Sequence, residues 1–110
     1  MQQVQQWLGG DPDPQDQDEI RALIDRGAEA ELQARFSGRL TFGTAGLRGP
    51  IRAGPHGMNT AVIRQSTAGL AEILLQEPEA RQRGVVVGFD ARHRSEAFAL
   101  EVTAVLRAQG

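Results

Sequence analysis

Hydrophobic residues recur at helical spacing near the start of the chain. Val4, Trp7 and Leu8 lie three and four positions apart, which predicts a short amphipathic turn that docks onto a larger body. The acidic, proline-containing segment GGDPDPQDQD then interrupts this pattern. Asp16 and Glu19 form a D-x-x-E pair that resembles a capping box, so we expect the next helix to begin there.

The second apolar stripe predicts a pair of short helices. Ile20, Leu23 and Ile24 follow the capping pair at helical spacing. Gly27 is expected to end this helix, and a further helix is predicted to run on through 32–36. Residues 1–38 are therefore predicted to form an N-terminal helical extension.

The segment SGRLTFGTAGLRGPIRAGPHG changes the pattern, because glycine and proline are dense and the apolar pieces are short. We interpret it as two short strands, 40–42 and 47–51, on either side of a glycine loop. Three glycines, Gly43, Gly46 and Gly49, are spaced by three in this loop.

The remainder of the chain alternates between helical and strand patterns. Asn59 is a good N-cap for a helix that Pro78 ends. The run GVVVGFD at 84–90 is typical of a strand buried on both faces of a parallel sheet. Ser95 is expected to cap a last helix. The order predicts an α/β fold, with residues 39–110 forming an incomplete first domain: a mixed sheet flanked by helices.

Composition narrows the chemistry that these elements can carry. All 12 basic residues are arginine, which excludes Schiff-base lysine chemistry and the P-loop lysine. The absence of cysteine excludes disulfides, thiolate nucleophiles and cysteine-ligated zinc. A formal charge of −2 argues against a nucleic-acid partner. The absence of cysteine permits a reducing compartment, so we expect a cytoplasmic protein. No apolar run approaches the roughly 20 residues that span a bilayer, so we expect no membrane partner.

The glycine loop is the first candidate site. Arg48 lies inside it, and a guanidinium can bind phosphate or carboxylate oxygens through two parallel hydrogen bonds. The G-x-x-G-x-x-G spacing of Gly43, Gly46 and Gly49 matches neither standard nucleotide-binding loop. The alternative is a tight turn between strands, with Arg48 as a solvated charge.

The loop after the GVVVGFD segment is the second candidate. Asp90, Arg92 and Ser95 lie there, and ligands of open α/β sheets bind beyond the carboxyl ends of strands. The acidic stretch DPDPQDQD fails the frame of a calcium-binding EF-hand loop, and the histidines lack a partner at ligand spacing. We therefore predict no metal site within this chain.

Together, FGTAGLRG, then GMN before a helix, then GVVVGFDARHRS before another helix resemble the opening of the first domain of the α-D-phosphohexomutases. This family includes phosphoglucomutases and phosphomannomutases. The early tryptophan, the acidic linker and the segment ELQARF are similar to its phosphoglucomutase-2-like branch. The resemblance implies a four-domain isomerase, an intramolecular phosphotransferase of carbohydrate metabolism that interconverts hexose 1-phosphate and hexose 6-phosphate through a hexose 1,6-bisphosphate.

The resemblance also implies residue roles. A phosphoserine in a T-x-S-H-N-P loop carries the phosphoryl group in this family, and three aspartates of a D-G-D-x-D-R loop hold Mg²⁺. Thr44 and Arg48 match the threonine and arginine that border the active site. Neither of the other two loops occurs in the sequence.

We therefore expect an N-terminal fragment that needs the remainder of the mutase chain and is inactive alone. Two alternatives stay open, a stand-alone partner-binding module and a small phosphosugar-binding module.

Overall fold

Six helices and one short strand pair make up the part of the chain that the computed structural model describes, residues 2–43 and 46–110. Two compact units are divided between Val62 and Ile63. The helices are α1 (Gln2–Gly10), α2 (Pro14–Asp25), α3 (Glu29–Phe36), α4 (Thr60–Leu74), α5 (Ala80–Arg83) and α6 (Ser95–Gln109). The strands are β1 (Phe42–Gly43) and β2 (Gly46–Leu47).

Helix α2 begins earlier than the capping-box pattern predicts. Asp13 is its N-cap and accepts a hydrogen bond from the backbone N–H of Gln15 at 3.0 Å. Pro14 occupies the first turn, where its missing N–H costs nothing and its fixed φ suits a helix. The cap predicted at Asp16 was therefore wrong. The break predicted at Gly27 is confirmed, since this residue has a φ of +66° just after α2.

Helices α1, α2 and α3 and the segment after β2 share one hydrophobic core. Its buried members are Val4, Ile20, Leu23, Leu32, Phe36 and Ala53. Trp7 packs edge-on against Phe36, with 6.1 Å between ring centroids, which confirms that α1 docks through its apolar face. Because Ala53 belongs to this core, the predicted helical extension is packed together with residues beyond position 38.

The predicted strand pair around the glycine loop forms, but it is shorter than expected. β1 and β2 are antiparallel, with Phe42 opposite Leu47 and Gly43 opposite Gly46. The segment that follows adds one parallel bridge between Ile51 and Met58.

The second unit consists of most of α4, together with α5 and α6. Arg64 on α4 donates to the carboxylate of Glu101 on α6, with 2.6 Å between Nε and Oε2. A groove of about 540 Å³ lies between the end of α4, the segment 80–87 and the end of α6. None of the described helices combines the length and the apolar character that crossing a membrane requires.

The segment 84–90 differs from the buried strand that its sequence predicts. It forms no strand, and Val85, Val86 and Phe89 are 54%, 99% and 61% exposed. A buried strand needs hydrogen-bonded neighbours in the sheet. Within residues 2–43 and 46–110, the one ladder is that of β1 and β2, so this apolar run has no sheet to join.

Candidate functional site

The glycine loop presents an exposed arginine beside the β1–β2 pair. Arg48 directly follows β2 and is exposed to solvent. Gly46 has a φ of +94°, a backbone conformation that residues with a Cβ rarely adopt. Thr44, the other residue predicted at the active site, lies outside the described residues. The exposure of Arg48 leaves its guanidinium accessible to an oxyanion.

Close packing explains the third glycine of the loop. A Cβ on Gly49 would lie 2.6 Å from the end of the Leu40 side chain, so a larger residue at this position would require that side chain to shift. Leu40 is in turn anchored, because its N–H donates to the carbonyl of Pro55 at 3.3 Å. The glycine spacing predicts a shaped loop, but it does not predict the contact between Gly49 and Leu40.

The segment after the loop is folded back on itself by side-chain hydrogen bonds to its backbone. The Arg52 guanidinium donates to the His56 carbonyl, at 3.2 Å from Nε and 3.0 Å from Nη2. Met58 N–H donates to the carbonyl of Pro50 at 2.8 Å. A Cβ on Gly57 would lie 2.6 Å from the Arg52 carbonyl oxygen, which shows how tightly the turn closes. These bonds connect Pro50 to Met58 and Arg52 to His56, so they close the segment that follows the glycine loop.

The second candidate cluster forms in the second unit, as a set of contacts around one carboxylate. Asp90 Oδ1 accepts hydrogen bonds from the Arg92 N–H at 3.1 Å and from the Ser95 hydroxyl at 2.8 Å. Arg92 Nε lies 2.9 Å from Asp90 Oδ2. The Arg92 N–H, followed by the Ser95 hydroxyl, lowers the pKa of the Asp90 carboxyl, so this group is held ionised.

The cap predicted for α6 was wrong. Arg94 occupies the N-cap position with a φ of +67° and makes no side-chain capping bond, while Ser95 is the first helical residue. The Ser95 hydroxyl is directed back to Asp90 instead of to the helix backbone. The hydrogen bond that the Ser95 hydroxyl donates to Asp90 is charge-assisted, which makes it stronger than one between neutral groups. Arg94 lies over the Phe98 ring, with 4.9 Å between Cζ and the ring centroid.

The carboxylates of the acidic stretch before α2 accept hydrogen bonds from backbone N–H groups and from the Trp7 ring nitrogen. Asp11 accepts from Trp7 Nε1 at 2.9 Å and from the Asp13 N–H at 3.0 Å. Burial raises the pKa of the Asp11 carboxyl, although the Asp13 N–H opposes that shift. Across residues 2–43 and 46–110, no three histidine or carboxylate side chains converge as they would around a metal ion.

Sequence reasoning does not predict the ion pairs that Arg35 forms with Glu19 and Glu31. Arg35 is buried on α3 and bonded to carboxylates of Glu19 and Glu31. Glu31 and Arg35 lie four residues apart on a helix, and this spacing is the one local signal of their ion pair. The contact of Arg35 with Glu19 has no such signal.

A family model described as phosphoglucomutase/phosphomannomutase, alpha/beta/alpha domain I, matches residues 39–110. The chain belongs to the phosphoglucomutase/phosphomannomutase family. Both candidate clusters lie within the matched part of this family's domain. The match also confirms the α/β class expected from the order of elements.

Several members of this family are similar to the chain over most of its length. It is 42% identical to a mouse phosphopentomutase over 92 residues, which cover 83% of this chain and 15% of that protein. It is 38% identical to the phosphoribomutase of Saccharomyces cerevisiae over 105 residues, or 94% of this chain and 17% of that protein. It is 40% identical to the human glucose 1,6-bisphosphate synthase over 90 residues, or 81% and 14%.

The chain therefore spans less than a fifth of each of these family members. No solved structure matches it.

Proposed function

We propose that this chain is part of a phosphosugar mutase and supplies one wall of the site where a phosphoryl group is transferred. The observation that carries the proposal is the exposed Arg48 directly after β2, inside the matched domain. Phosphoryl transfer depends on positioned positive charge around the phosphoryl oxygens, and arginine supplies it in a fixed, bidentate form. In this proposal Arg48 stabilises the transferring phosphoryl group.

The other loop residues have supporting roles in this proposal. Thr44 hydrogen-bonds to the phosphoserine or its loop, and Gly43, Gly46 and Gly49 let the backbone approach the phosphate. The packing of Gly49 against Leu40 supports this, since an added Cβ would displace the Leu40 side chain.

The cluster of Asp90, Arg92 and Ser95 organises the neighbouring loop in this proposal. Its hydrogen bonds hold the three side chains together at the start of α6. The mixed sheet is proposed as well: the exposed apolar segment 84–90 would pair with further strands of the domain.

The proposed substrate is a hexose phosphate, with hexose 1,6-bisphosphate as the intermediate. The name of the human relative includes glucose 1,6-bisphosphate, which supports the hexose. The mouse and yeast relatives are named for a pentose and for ribose, which makes a pentose phosphate the competing substrate. A substrate panel of hexose and pentose 1-phosphates distinguishes the two.

Magnesium belongs to the proposed whole enzyme, but this chain's residues do not fit it. The oxygens of Asp11 and Asp13 accept hydrogen bonds around α2, and the described residues form no group suited to a metal. No step that these residues carry out is assigned to a metal. The metal and the phosphoserine would come from other parts of the enzyme.

A segment exchange tests the proposed function. Residues 1–110 replace the segment of the S. cerevisiae phosphoribomutase that they match, and turnover of the chimaera is compared with that of the isolated chain. We expect the chimaera to retain phosphomutase turnover and the isolated chain to have none, even with Mg²⁺ and hexose bisphosphate present. A folded but inactive chimaera, or an isolated chain that turns over, would contradict the proposal.

The stand-alone module is the alternative from another class. The exposed Val85, Val86 and Phe89 are compatible with a protein partner. A cooperative thermal transition of a monomeric isolated chain would favour this alternative. We expect marginal stability or self-association instead, because an open apolar segment lacks its sheet.

A further inference from the structure

Arg35 is a charged side chain buried in the first unit, where an apolar residue would stabilise the core at least as well. The residue is 8% exposed, and its guanidinium donates to Glu19 on α2 and, at 2.7 Å, to Glu31 on α3. Replacing buried ion pairs with packed hydrophobic side chains is often neutral or stabilising. Stability is therefore a weak reason for an arginine at this position.

Both ends of Arg35 hold the segment that follows the glycine loop. Its Nη1 lies 3.4 Å from the Ala53 carbonyl, and Glu19 accepts from the Ala53 N–H at 2.8 Å. The Arg35 carbonyl accepts from the His56 N–H at 3.0 Å. Gly54, with a φ of +104°, lies so close that a Cβ there would be 3.1 Å from Arg35 Cβ. One arginine thus fixes 53–56 through its side chain and its backbone.

These contacts continue to the glycine loop. Pro55 accepts from the Leu40 N–H at 3.3 Å, so fixing 53–56 also fixes Leu40. The Leu40 side chain lies against Gly49, where a Cβ would be within 2.6 Å. Gly49 is adjacent to Arg48. A displacement of 53–56 would therefore shift the backbone that carries the Arg48 guanidinium.

We propose that Arg35, held between Glu19 and Glu31, is a positioning residue that sets the geometry of the glycine loop. It acts on phosphoryl transfer through the placement of Arg48. This inference rests on the proposed function for its effect on turnover, but its effect on the loop backbone does not. The helices before residue 38 then have a role in the site and are more than an attached extension.

Hydrogen exchange in the chimaera with the S. cerevisiae phosphoribomutase tests the structural half of the proposal. Arg35→Lys keeps the charge but lacks the planar fork that serves two carboxylates and a carbonyl. We expect amide exchange at Leu40, Ala53 and His56 to rise roughly tenfold or more, while the core amides of α2 change little. The matched control is Arg26→Lys, because Arg26 Nη2 also lies near Glu31, at 3.9 Å, but is solvent-exposed.

A second variant reaches the same contact from the loop side. Gly54→Ala changes neither partner of the two Arg35 ion pairs. It adds a Cβ against Arg35 at a position whose φ of +104° is unfavourable for alanine. It should reproduce the exchange pattern of Arg35→Lys. Unchanged exchange at Leu40 in both variants would overturn the proposal. Unprotected Leu40 and Ala53 amides in the unsubstituted chimaera would overturn it as well, because nothing would then hold the loop.

Turnover of the yeast chimaera tests the functional half. Arg35→Lys should lower kcat roughly ten- to hundredfold, with a smaller change in KM, because misplacing a charge by about 1 Å costs rate at the transition state. In an Arg48→Ala background the same substitution should lower kcat far less, since both act through one group. Equal effects in the two backgrounds, or an effect no larger than that of Arg26→Lys, would overturn the proposal.

The two failures can be told apart. If the unsubstituted chimaera folds but has no turnover, while the exchange of Leu40 responds to Arg35→Lys, the proposed function fails and the structural positioning of the loop stands. If the chimaera is active but indifferent to Arg35→Lys, the functional role of Arg35 fails alone.

Discussion

Asn59 is fully buried and uses both ends of its side-chain amide. Its Oδ1 accepts from the Val62 N–H at 3.0 Å, as an N-cap of α4 does. Its Nδ2 donates to the carbonyls of Arg52 and Gly54, at 2.9 and 2.8 Å. The helix start and the preceding loop are therefore held by the same residue.

Replacing Asn59 with alanine should cost more than an ordinary cap. The cap itself contributes about 1 kcal/mol, and the loss of the donor to the buried Gly54 carbonyl and the part-buried Arg52 carbonyl adds to this, for a total of about 2–4 kcal/mol. Urea unfolding followed by circular dichroism measures the loss. Asn59→Ser is the control, since serine keeps the cap acceptor but not the two donors, and it should recover about 1 kcal/mol. A serine variant as stable as the original chain would contradict the role of the donors.

The pairing of Glu31 with buried Arg35 gives the first unit a defined response to acid. The hydrogen bond from Arg35, followed by its charge, lowers the pKa of the Glu31 carboxyl. Burial alone would lower the pKa of Arg35, but its bonds to Glu19 and Glu31 outweigh that effect and raise it. Arg35 therefore stays charged throughout, and the Glu31 carboxyl is the group whose titration affects stability.

Comparing the chain with its Glu31→Gln variant tests this. A carboxyl with a lowered folded pKa stabilises the fold above its ordinary pKa, and this contribution disappears as the pH falls through the lowered value. The original chain should be more stable than Glu31→Gln at neutral pH, and the difference should shrink between about pH 5 and pH 3. The fluorescence of Trp7, the sole tryptophan, reports unfolding in urea. A difference that is independent of pH would contradict the pairing.

Asp11 affects the pH dependence of stability in the opposite direction to Glu31. It is present in both the original chain and Glu31→Gln, so its effect cancels in their difference. Because burial raises its pKa, its ionised form costs stability at neutral pH, and protonation as the pH falls favours the fold. Only the difference between the two proteins, and not either pH profile alone, isolates Glu31.

At the scale of residues, a rule of local sequence predicts an interaction only when both partners are close in the chain. The acceptor role of Asn59 toward Val62 follows from the N-cap rule. The contact of Glu19 with Ala53 joins residues 34 positions apart and has no local signal. Local pattern predicts only a capping-box role for Glu19, because that rule considers partners within one helix.

Helix α1 shows how an element of nine residues is held in place by packing and one polar bond. Trp7 packs against Phe36 of α3 and donates its ring N–H to Asp11. An isolated helix of this length is marginal in water, so its tertiary contacts decide whether it forms. The i, i+3, i+4 spacing of Val4, Trp7 and Leu8 was sufficient to predict the docked face.

Removing the Trp7 side chain should release α1. We expect Trp7→Ala to lower the free energy of unfolding by roughly 2–4 kcal/mol, measured in urea by circular dichroism. Trp7→Phe keeps most of the ring and loses only the bond to Asp11, so it should cost about 1 kcal/mol. Equal losses in the two variants would show that the ring contact with Phe36 contributes little.

Element types were more predictable than their ends. Helices α2, α3, α4 and α6 lie where the apolar spacing and the breakers indicate. The start of α6 was wrong because the hydroxyl of Ser95 bonds to Asp90, a partner that a cap rule does not consider. A side chain with two possible partners is assigned by tertiary geometry and not by its position in a motif.

At the scale of the molecule, the apolar segment 84–90 marks the limit of what local pattern can establish. Its composition is that of a buried strand, yet Val86 is almost entirely exposed. A strand is stabilised by neighbours that can lie far away in sequence, whereas a helix satisfies its own backbone. The family match supports a sheet in the domain, which a single short ladder among the described residues does not form.

Sequence motifs predict the residues of the candidate site, but they do not predict the contacts that anchor its loop. The resemblance of FGTAGLRG to one family is what points to Arg48. The family match over residues 39–110 confirms that resemblance, and the role of Arg48 stays a prediction. The anchoring of that loop through Leu40, Pro55 and Arg35 depends on how the chain folds back.

The most direct test of the proposed site is the split between activity and stability on Arg48→Ala in the yeast chimaera. Arg21→Ala is the matched control, since Arg21 is an exposed arginine of the same unit that pairs with Asp18 on the surface. We predict that Arg48→Ala lowers kcat by at least about a hundredfold, the loss typical of removing one charge-stabilising group, with Tm almost unchanged. A proportional loss of Tm and turnover, or turnover equal to that of Arg21→Ala, would contradict a role for Arg48 in phosphoryl transfer.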